Sequence, residues 1–297
     1  MVALSTRNDA VADCTAELVT CGSIELSPDR AGDARALAEL LPAGTKVYVN
    51  HLPRHPLAAT LPALEAVRAA GMEPVPHVAA RRIVSRPELK SFLEHAVRSA
   101  GVRKVLLIGG DDAQPAGPYA DSVAPLAEGV LASCGVHEVG IAGYPEGHPR
   151  IPRAALDQTL ERKLHLAADQ GLSAYLVTQF SFAPSRVIEY CTELAAKLPQ
   201  VPVYVGMAGP IDAGRLLRFA QRCGVSASLR ALRAQGMGMV RLVTHTDPGV
   251  QLAALARYCL SRTACNVVGA HLFSFGGALQ TAQWMNRVIS RQDAGVP

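Results

Sequence analysis

Short runs of consecutive apolar residues alternate along this chain with longer stretches of helical period. The runs Ser23–Leu26, Lys46–Asn50, Glu73–Val78, Lys104–Gly110, Glu138–Tyr144, Ala174–Phe180, Pro202–Met207 and Val267–Phe273 read as strands. Apolar side chains on successive positions fit strands covered on both faces. Helical patterns lie near residues 31–41, 57–70, 87–100, 120–134, 154–170, 184–198, 212–223 and 277–290. Ser85-Arg-Pro-Glu88 places Pro and Glu in a first turn, and Ala183-Pro-Ser185 opens another helix. Gly71, Gly101, Gly135 and Gly171 follow helices, where a glycine C-cap returns the chain to the next strand.

Eight strand–helix units predict an α/β fold of the (β/α)₈ TIM-barrel type. The rival, an open doubly wound sheet, would carry G-x-G-x-x-G after its first strand, and this chain does not. Two additions are expected. An N-terminal helical extension of ~20 residues closes the barrel bottom, and residues 225–263 insert two extra helices before strand eight, the second starting at Asp247-Pro248. No linker interrupts the chain, so residues 1–297 read as one catalytic barrel domain.

Composition narrows the function classes. The formal charge is only +4 and the basic residues are scattered, which disfavours a nucleic-acid partner. Local clusters at Arg81-Arg82 and Arg150 to Arg153 remain able to attract an anionic ligand. The seven cysteines form no C-x-x-C pair, so reduced thiols in a cytoplasmic protein are expected. There is no signal-peptide pattern and no uncharged run of the ~18 residues a membrane span needs. G-x-S-x-G, H-E-x-x-H and Walker A patterns are absent, which argues against hydrolase, zinc-protease and nucleotidase chemistry.

Polar groups cluster where the apolar runs end, as in a barrel that displays its site at the carboxyl ends of its strands. Glu25 interrupts an apolar strand, and a partly desolvated carboxyl is suited to general acid work. Pairing with a neighbouring Arg is the plainer reading of that residue. Asn50-His51 closes the second run and Pro76-His77 the third; His77 is stiffly placed behind Pro76. Gly109-Gly110 allows close backbone approach to a flat ligand, and Asp111 adds a negative charge beside it. Tyr119-Ala120 enters the next helix. Ala142 and Gly143 leave room for a planar ring, while Tyr144 and His148 can bond a cofactor's polar chain. Arg162 and Lys163 lie on the following helix, as diphosphate ligands or as a solvated face. Gln179 offers a donor and an acceptor to a pterin-type edge; Phe180, Phe182 and Phe273 wall a pocket or pack the core. No set of His and carboxylates marks a metal site.

In this order and at these separations the segments resemble the methylenetetrahydrofolate reductase family, over about residues 20–290. Ser23-Ile-Glu25-Leu-Ser-Pro28 resembles the family's first-strand motif, which makes Glu25 the acid that helps open the folate's methylene bridge. Asn50 and His77 resemble flavin-contacting strand ends. Gly110-Asp111 resembles the pair beside the isoalloxazine, Asp111 acting electrostatically, and Tyr119-Ala120 a flavin-contacting pair. Ala142-Gly-Tyr144-Pro-Glu-Gly-His148 resembles the most family-specific flavin motif. Arg162 and Lys163 fall at the diphosphate-binding helix, Gln179 at the folate-binding Gln, and Phe180 and Phe273 at the substrate pocket.

The resemblance implies FAD as cofactor, NADH or NADPH as co-substrate, a folate substrate and the short form without a regulatory domain. Homo-oligomeric assembly is compatible with it. The implied activity is interconversion of methylene- and 5-methyltetrahydrofolate by hydride transfer through the flavin. Its alternatives are oxidation of 5-methyltetrahydrofolate in methyl-group catabolism, a non-catalytic pterin- or flavin-binding paralogue, and a flavin-free barrel methyltransferase. Three positions depart from the pattern. Gly109 replaces the Arg expected before Gly-Asp, Gly277 stands where an Arg is found near folate, and Ala213 lies near a position that is aromatic in relatives.

Overall fold

The computed structural model describes residues 2–211 and 248–293. Eight strands form a closed barrel in chain order: β1 (Ser23–Leu26), β2 (Lys46–Val49), β3 (Glu73–Ala79), β4 (Lys104–Ile108), β5 (Glu138–Gly143), β6 (Ser173–Thr178), β7 (Val203–Ala208) and β8 (Val267–Phe273). The ladder closes with β8 parallel to β1, Ser23 opposite His271 and Ile24 opposite Leu272. The expected TIM barrel is the fold. The described helices are α1 (Val2–Thr20), α2 (Ala34–Leu40), α3 (Leu61–Ala69), α4 (Arg86–Ala100), α5 (Val123–Ala127), α6 (Val130–Ser133), α7 (Arg153–Asp169), α8 (Pro184–Lys197), α9 (Pro248–Leu260) and α10 (Ala278–Asp293). Among the described residues no helix is long and apolar enough to cross a membrane.

Contacts gather the chain into two compact units. One comprises Met1–Ile24, Gly143–Pro149 and Val177–Pro297; the other comprises Glu25–Ala142 and Arg150–Leu176. In the second unit, two prolines shape β3. Pro74 and Pro76 are two apart, so both lack an N–H on the same edge of the strand. β3 pairs with β2 from Glu73 to Pro76, but with β4 only from His77 onward. The prolines thus make His77 the first residue of β3 to join β4. At the other end of these strands, Lys104 bridges Glu73 (3.5 Å) and Glu138 (3.2 Å). The core contains a buried Tyr48–Tyr175 hydroxyl contact of 3.1 Å. A Cβ on Gly140 would meet the Tyr175 ring at 2.8 Å, so this strand position requires glycine.

Helix signals act as expected. Ser85 caps α4 by accepting from Glu88 N–H at 3.2 Å, and Glu88 accepts from Val84 N–H at 2.7 Å. All four glycines expected after helices have positive φ. The expected helix over 120–134 is two short helices, because Gly129 adopts φ 69 between α5 and α6. The stretches 31–41 and 57–70 begin as 3-10 turns, Pro28–Asp33 and Leu57–Thr60, before becoming α-helical.

In the first unit, α1 packs against α9, α10 and β8. α9 is the second of the expected extra helices. The first of them, the helix expected over 212–223, Ala213 and Asp247 lie outside the described residues. Several strands stop earlier than the apolar runs suggested. Asn50, Gly110, Tyr144, Gln179 and Phe180 therefore sit just beyond strand ends, in the loops.

Candidate active site

In the second unit, β1 carries Glu25 and β3 carries His77, both buried. Glu25 Oε1 lies 3.9 Å from His77 Nε2, and the Tyr48 ring meets the imidazole edge-on at 5.7 Å between centroids. The described residue facing Glu25 at this distance is an imidazole. A buried carboxyl is suited to general acid work, and the imidazole stands beside it.

The loops after β2, β3 and β4 form a connected polar turn. Arg82 donates to Asp112 Oδ2 at 2.6 Å and also to the carbonyl of His51. His51 Nε2 contacts the His55 carbonyl at 3.2 Å. Burial pushes the His51 imidazole below its ordinary range, and the Arg82 charge adds to that. Gly110 adopts φ 93, a backbone conformation that turns the chain sharply just before Asp111. Asp111 is exposed, and Asn50 is half-buried with its N–H donated to the Leu26 carbonyl.

Tyr119 is fully buried and its hydroxyl donates to Glu128 at 2.8 Å; Arg86 holds the same carboxylate at 2.7 Å. Burial, then the Glu128 bond, pushes the Tyr119 phenol up to about 12. Its polar atom is thus engaged within the protein, while Ala120 is exposed. Ala142 is half-buried near the end of β5.

α7 separates its two cations. Arg162 faces solvent, whereas Lys163 turns inward and is 8% exposed. Desolvation pulls the Lys163 ammonium down to about 8, opposed by the charge of Asp121. A buried, desolvated lysine fits a diphosphate, which would supply negative charge beside it. The donor set of this chain therefore suits the cofactor that the resemblance implies.

In the first unit, Tyr144 and His148 pack edge-to-face at 5.3 Å across a turn closed by Gly147 N–H to Tyr144 C=O. A Cβ on Gly143 would meet the Tyr190 hydroxyl at 2.9 Å, so the glycine here serves packing as well as access. Gln179 folds its carboxamide oxygen onto the Phe180 N–H at 3.1 Å, which leaves its amide nitrogen as the group to offer a ligand. Phe180 is the centre of an aromatic wall, 5.7 Å from Phe182, 5.4 Å from Phe273 and 5.2 Å from Phe275.

Two residues of this wall escaped the sequence reading. Phe275 has φ 50, followed by Gly276 at φ 84, in a turn closed by Gly277 N–H to Ser274 C=O. An aromatic residue in that region is strained, and such strain concentrates at functional sites. No local pattern announces it. His271 is buried on β8 within 2.8 Å of Ser23 Oγ and 4.8 Å from the Phe273 ring. Its signal was available: like Glu25, it is a polar residue inside an apolar run.

Comparison with known proteins agrees with this architecture. Methylenetetrahydrofolate reductase 2 of Saccharomyces cerevisiae strain S288c is 29% identical over 136 residues, 43% of this chain. The match spans only 22% of the yeast protein's length. An uncharacterized protein from Clostridium thermocellum that binds two copies of 5-methyl-5,6,7,8-tetrahydrofolic acid has the same fold. Its TM-score is 0.59 at 10% identity, over 90% of this chain and 96% of that one. The profile of the methylenetetrahydrofolate reductase family matches residues 57–232, more than half of the sequence. That stretch holds His77, Asp111, Tyr144, Lys163 and Gln179, while Glu25, Asn50 and Phe273 lie outside it. The chain belongs to the methylenetetrahydrofolate reductase family.

Proposed function

We propose that this protein is an FAD-dependent methylenetetrahydrofolate reductase that interconverts methylene- and 5-methyltetrahydrofolate, with NADH or NADPH as electron partner. Buried Glu25 carries the reading: it is a carboxyl suited to acid work, beside His77, on a strand of a family barrel. The folate-binding protein of the same fold lends support to the substrate class. When bound, the flavin supplies hydride transfer.

The chain's own residues divide the remaining work. Glu25 holds the proton that assists opening of the folate's methylene bridge, and His77 beside it contacts the cofactor. Lys163 pairs with the cofactor diphosphate, with Arg162 at the exposed side of the same helix. Tyr144 and His148 bond the cofactor's polar chain, and Asn50, Gly110, Ala120 and Ala142 line it through backbone and small side chains. Asp111 provides a negative field beside the reacting ring. The Gln179 amide orients the pterin edge, and Phe180 and Phe273 exclude water from it. Tyr119 supports the site through its ring and backbone, since Glu128 occupies its hydroxyl.

The test is an absorption spectrum of the purified protein with FAD, followed by anaerobic addition of NADH, NADPH or 5-methyltetrahydrofolate in turn. Bleaching of the oxidised flavin band by 5-methyltetrahydrofolate is the expected result. A protein that retains no flavin, with FAD added, defeats the proposal and favours a flavin-free methyltransferase.

A further inference from the structure

Arg81 sits in the 3-10 turn Ala80–Arg82 that follows β3. Its backbone is held on both sides: its N–H donates to the Gly109 carbonyl at 2.9 Å, and its carbonyl accepts from Ala116 N–H at 2.7 Å. A Cβ added to Gly110 would come within 3.7 Å of Arg81 Cβ, so the arginine side chain starts directly beside the Gly109-Gly110-Asp111 turn. Its Nε is sealed from solvent and has no acceptor among the described residues.

The next residue shows what a structurally employed arginine looks like here. Arg82 holds Asp112 at 2.6 Å and the His51 carbonyl. Two carboxylates, Asp111 and Asp112, stand in the adjoining turn, yet the ion pair formed goes to Arg82. Arg81 as a whole is half-buried, but an N–H kept from water without an acceptor is costly, and a ligand that supplies the acceptor offsets that cost. The guanidinium fork matches the paired oxygens of a phosphate or carboxylate.

We infer that Arg81 recognises an oxyanion of the ligand bound at the carboxyl ends of β3 and β4, either a phosphate of the dinucleotide cofactor or the glutamate carboxylate of the folate. The inference rests on the flavin–folate reading for the identity of the ligand. It also gives the Gly109 departure a physical sense. The cation missing before Gly110 is supplied by the neighbouring turn, which is hydrogen-bonded to Gly109 itself.

The test uses the full chain and its Arg81→Gln and Arg81→Lys variants, each checked for folding by circular-dichroism melting. Inorganic pyrophosphate, FAD, riboflavin, 5-methyltetrahydrofolate and 6-methyltetrahydropterin are titrated in turn by calorimetry. Pyrophosphate and FAD binding weaker by ~10-fold or more in Arg81→Gln, with riboflavin unchanged, assigns the oxyanion to the diphosphate. A loss confined to 5-methyltetrahydrofolate, with the pterin unchanged, assigns it to the glutamate carboxylate. Arg81→Lys should recover part of the affinity in either case. If Arg81→Gln does not fold, Arg81→Lys is the reporter, since it keeps the charge and loses the fork. Equal affinities for both pyrophosphate and 5-methyltetrahydrofolate overturn the inference. So does an equal loss toward riboflavin or the pterin, which marks a general loosening of the turn. A wild-type protein that binds neither FAD nor 5-methyltetrahydrofolate removes the flavin–folate reading instead, and the pyrophosphate comparison still decides Arg81.

Discussion

Glu25 on β1 and His77 on β3 face one another with 3.9 Å between carboxylate and imidazole, each side chain less than a tenth exposed. That distance is beyond hydrogen-bond range, so the imidazole is a close neighbour of the carboxyl without bonding to it. Glu25→Gln keeps the shape and removes the proton-holding function. The variant is expected to bind FAD and to accept electrons from the nicotinamide, while folate turnover slows by at least ~100-fold. Separate anaerobic half-reactions measure the two steps. Unchanged folate turnover would remove Glu25 from the chemistry.

Lys163 links cofactor binding to pH. Its ammonium sits at about 8 in the folded protein against an ordinary 10.5, chiefly through desolvation. Below pH 8 both folded and unfolded chains hold the proton, and the cost of burying the charge is fully present. Between these two values the unfolded chain binds the proton and the folded chain does not, so stability rises with pH, by as much as about 3 kcal/mol. Lys163→Met should therefore be more stable than wild type at pH 7, the gap closing as pH approaches 10.5, and should retain FAD poorly. Urea denaturation at several pH values, with flavin content measured alongside, decides it; parallel stability curves would contradict the burial argument.

Tyr119 separates a packing role from a ligand role. Its hydroxyl is bonded to Glu128, whose carboxyl the Arg86 hydrogen bond holds below its ordinary range. Tyr119→Phe is expected to cost ~1 kcal/mol of stability, the worth of one hydrogen bond, and to leave FAD affinity unchanged. A large loss of FAD affinity in a folded variant would return the hydroxyl to the cofactor site.

Cys259 and Cys265 lie 3.3 Å apart, both free thiols, at the end of α9 and just before β8. Their shared hydrogen bond lowers the Cys265 thiol and raises Cys259, while burial raises Cys14, Cys134 and Cys191. Iodoacetamide at neutral pH should label Cys265 ahead of those four, because the thiolate is the nucleophile. Cys259→Ala should slow that labelling. Peptide mass mapping over time reads both outcomes, and labelling of Cys265 no faster than Cys134 would contradict the coupling.

The barrel was legible because its signals are local. Apolar runs, Ser85 and Pro184 at helix starts, and glycines at helix ends each act within a few residues of their own position. The alternation of those signals was enough to determine eight strands and most of the described helices between them, the 120–134 stretch being split at Gly129. Glu25 and His77 could be named from the sequence, since a polar residue in an apolar run is conspicuous by itself.

Tertiary structure decided what each named residue is free to do. Adjacent Arg162 and Lys163 read alike in sequence, but helix geometry sends one to solvent and buries the other. Tyr119 and Glu128 are nine residues apart and become partners only when the chain folds. Arg81 and Arg82 are chemically equal until Asp112 and the His51 carbonyl take one and leave the other's Nε without an acceptor among the described residues. The strained Phe275 joins Phe180 through the turn that ends β8. The physical reason is the same in each case. Propensity and pattern depend on neighbours in the chain, whereas burial, ion pairing and proton affinity depend on neighbours in space.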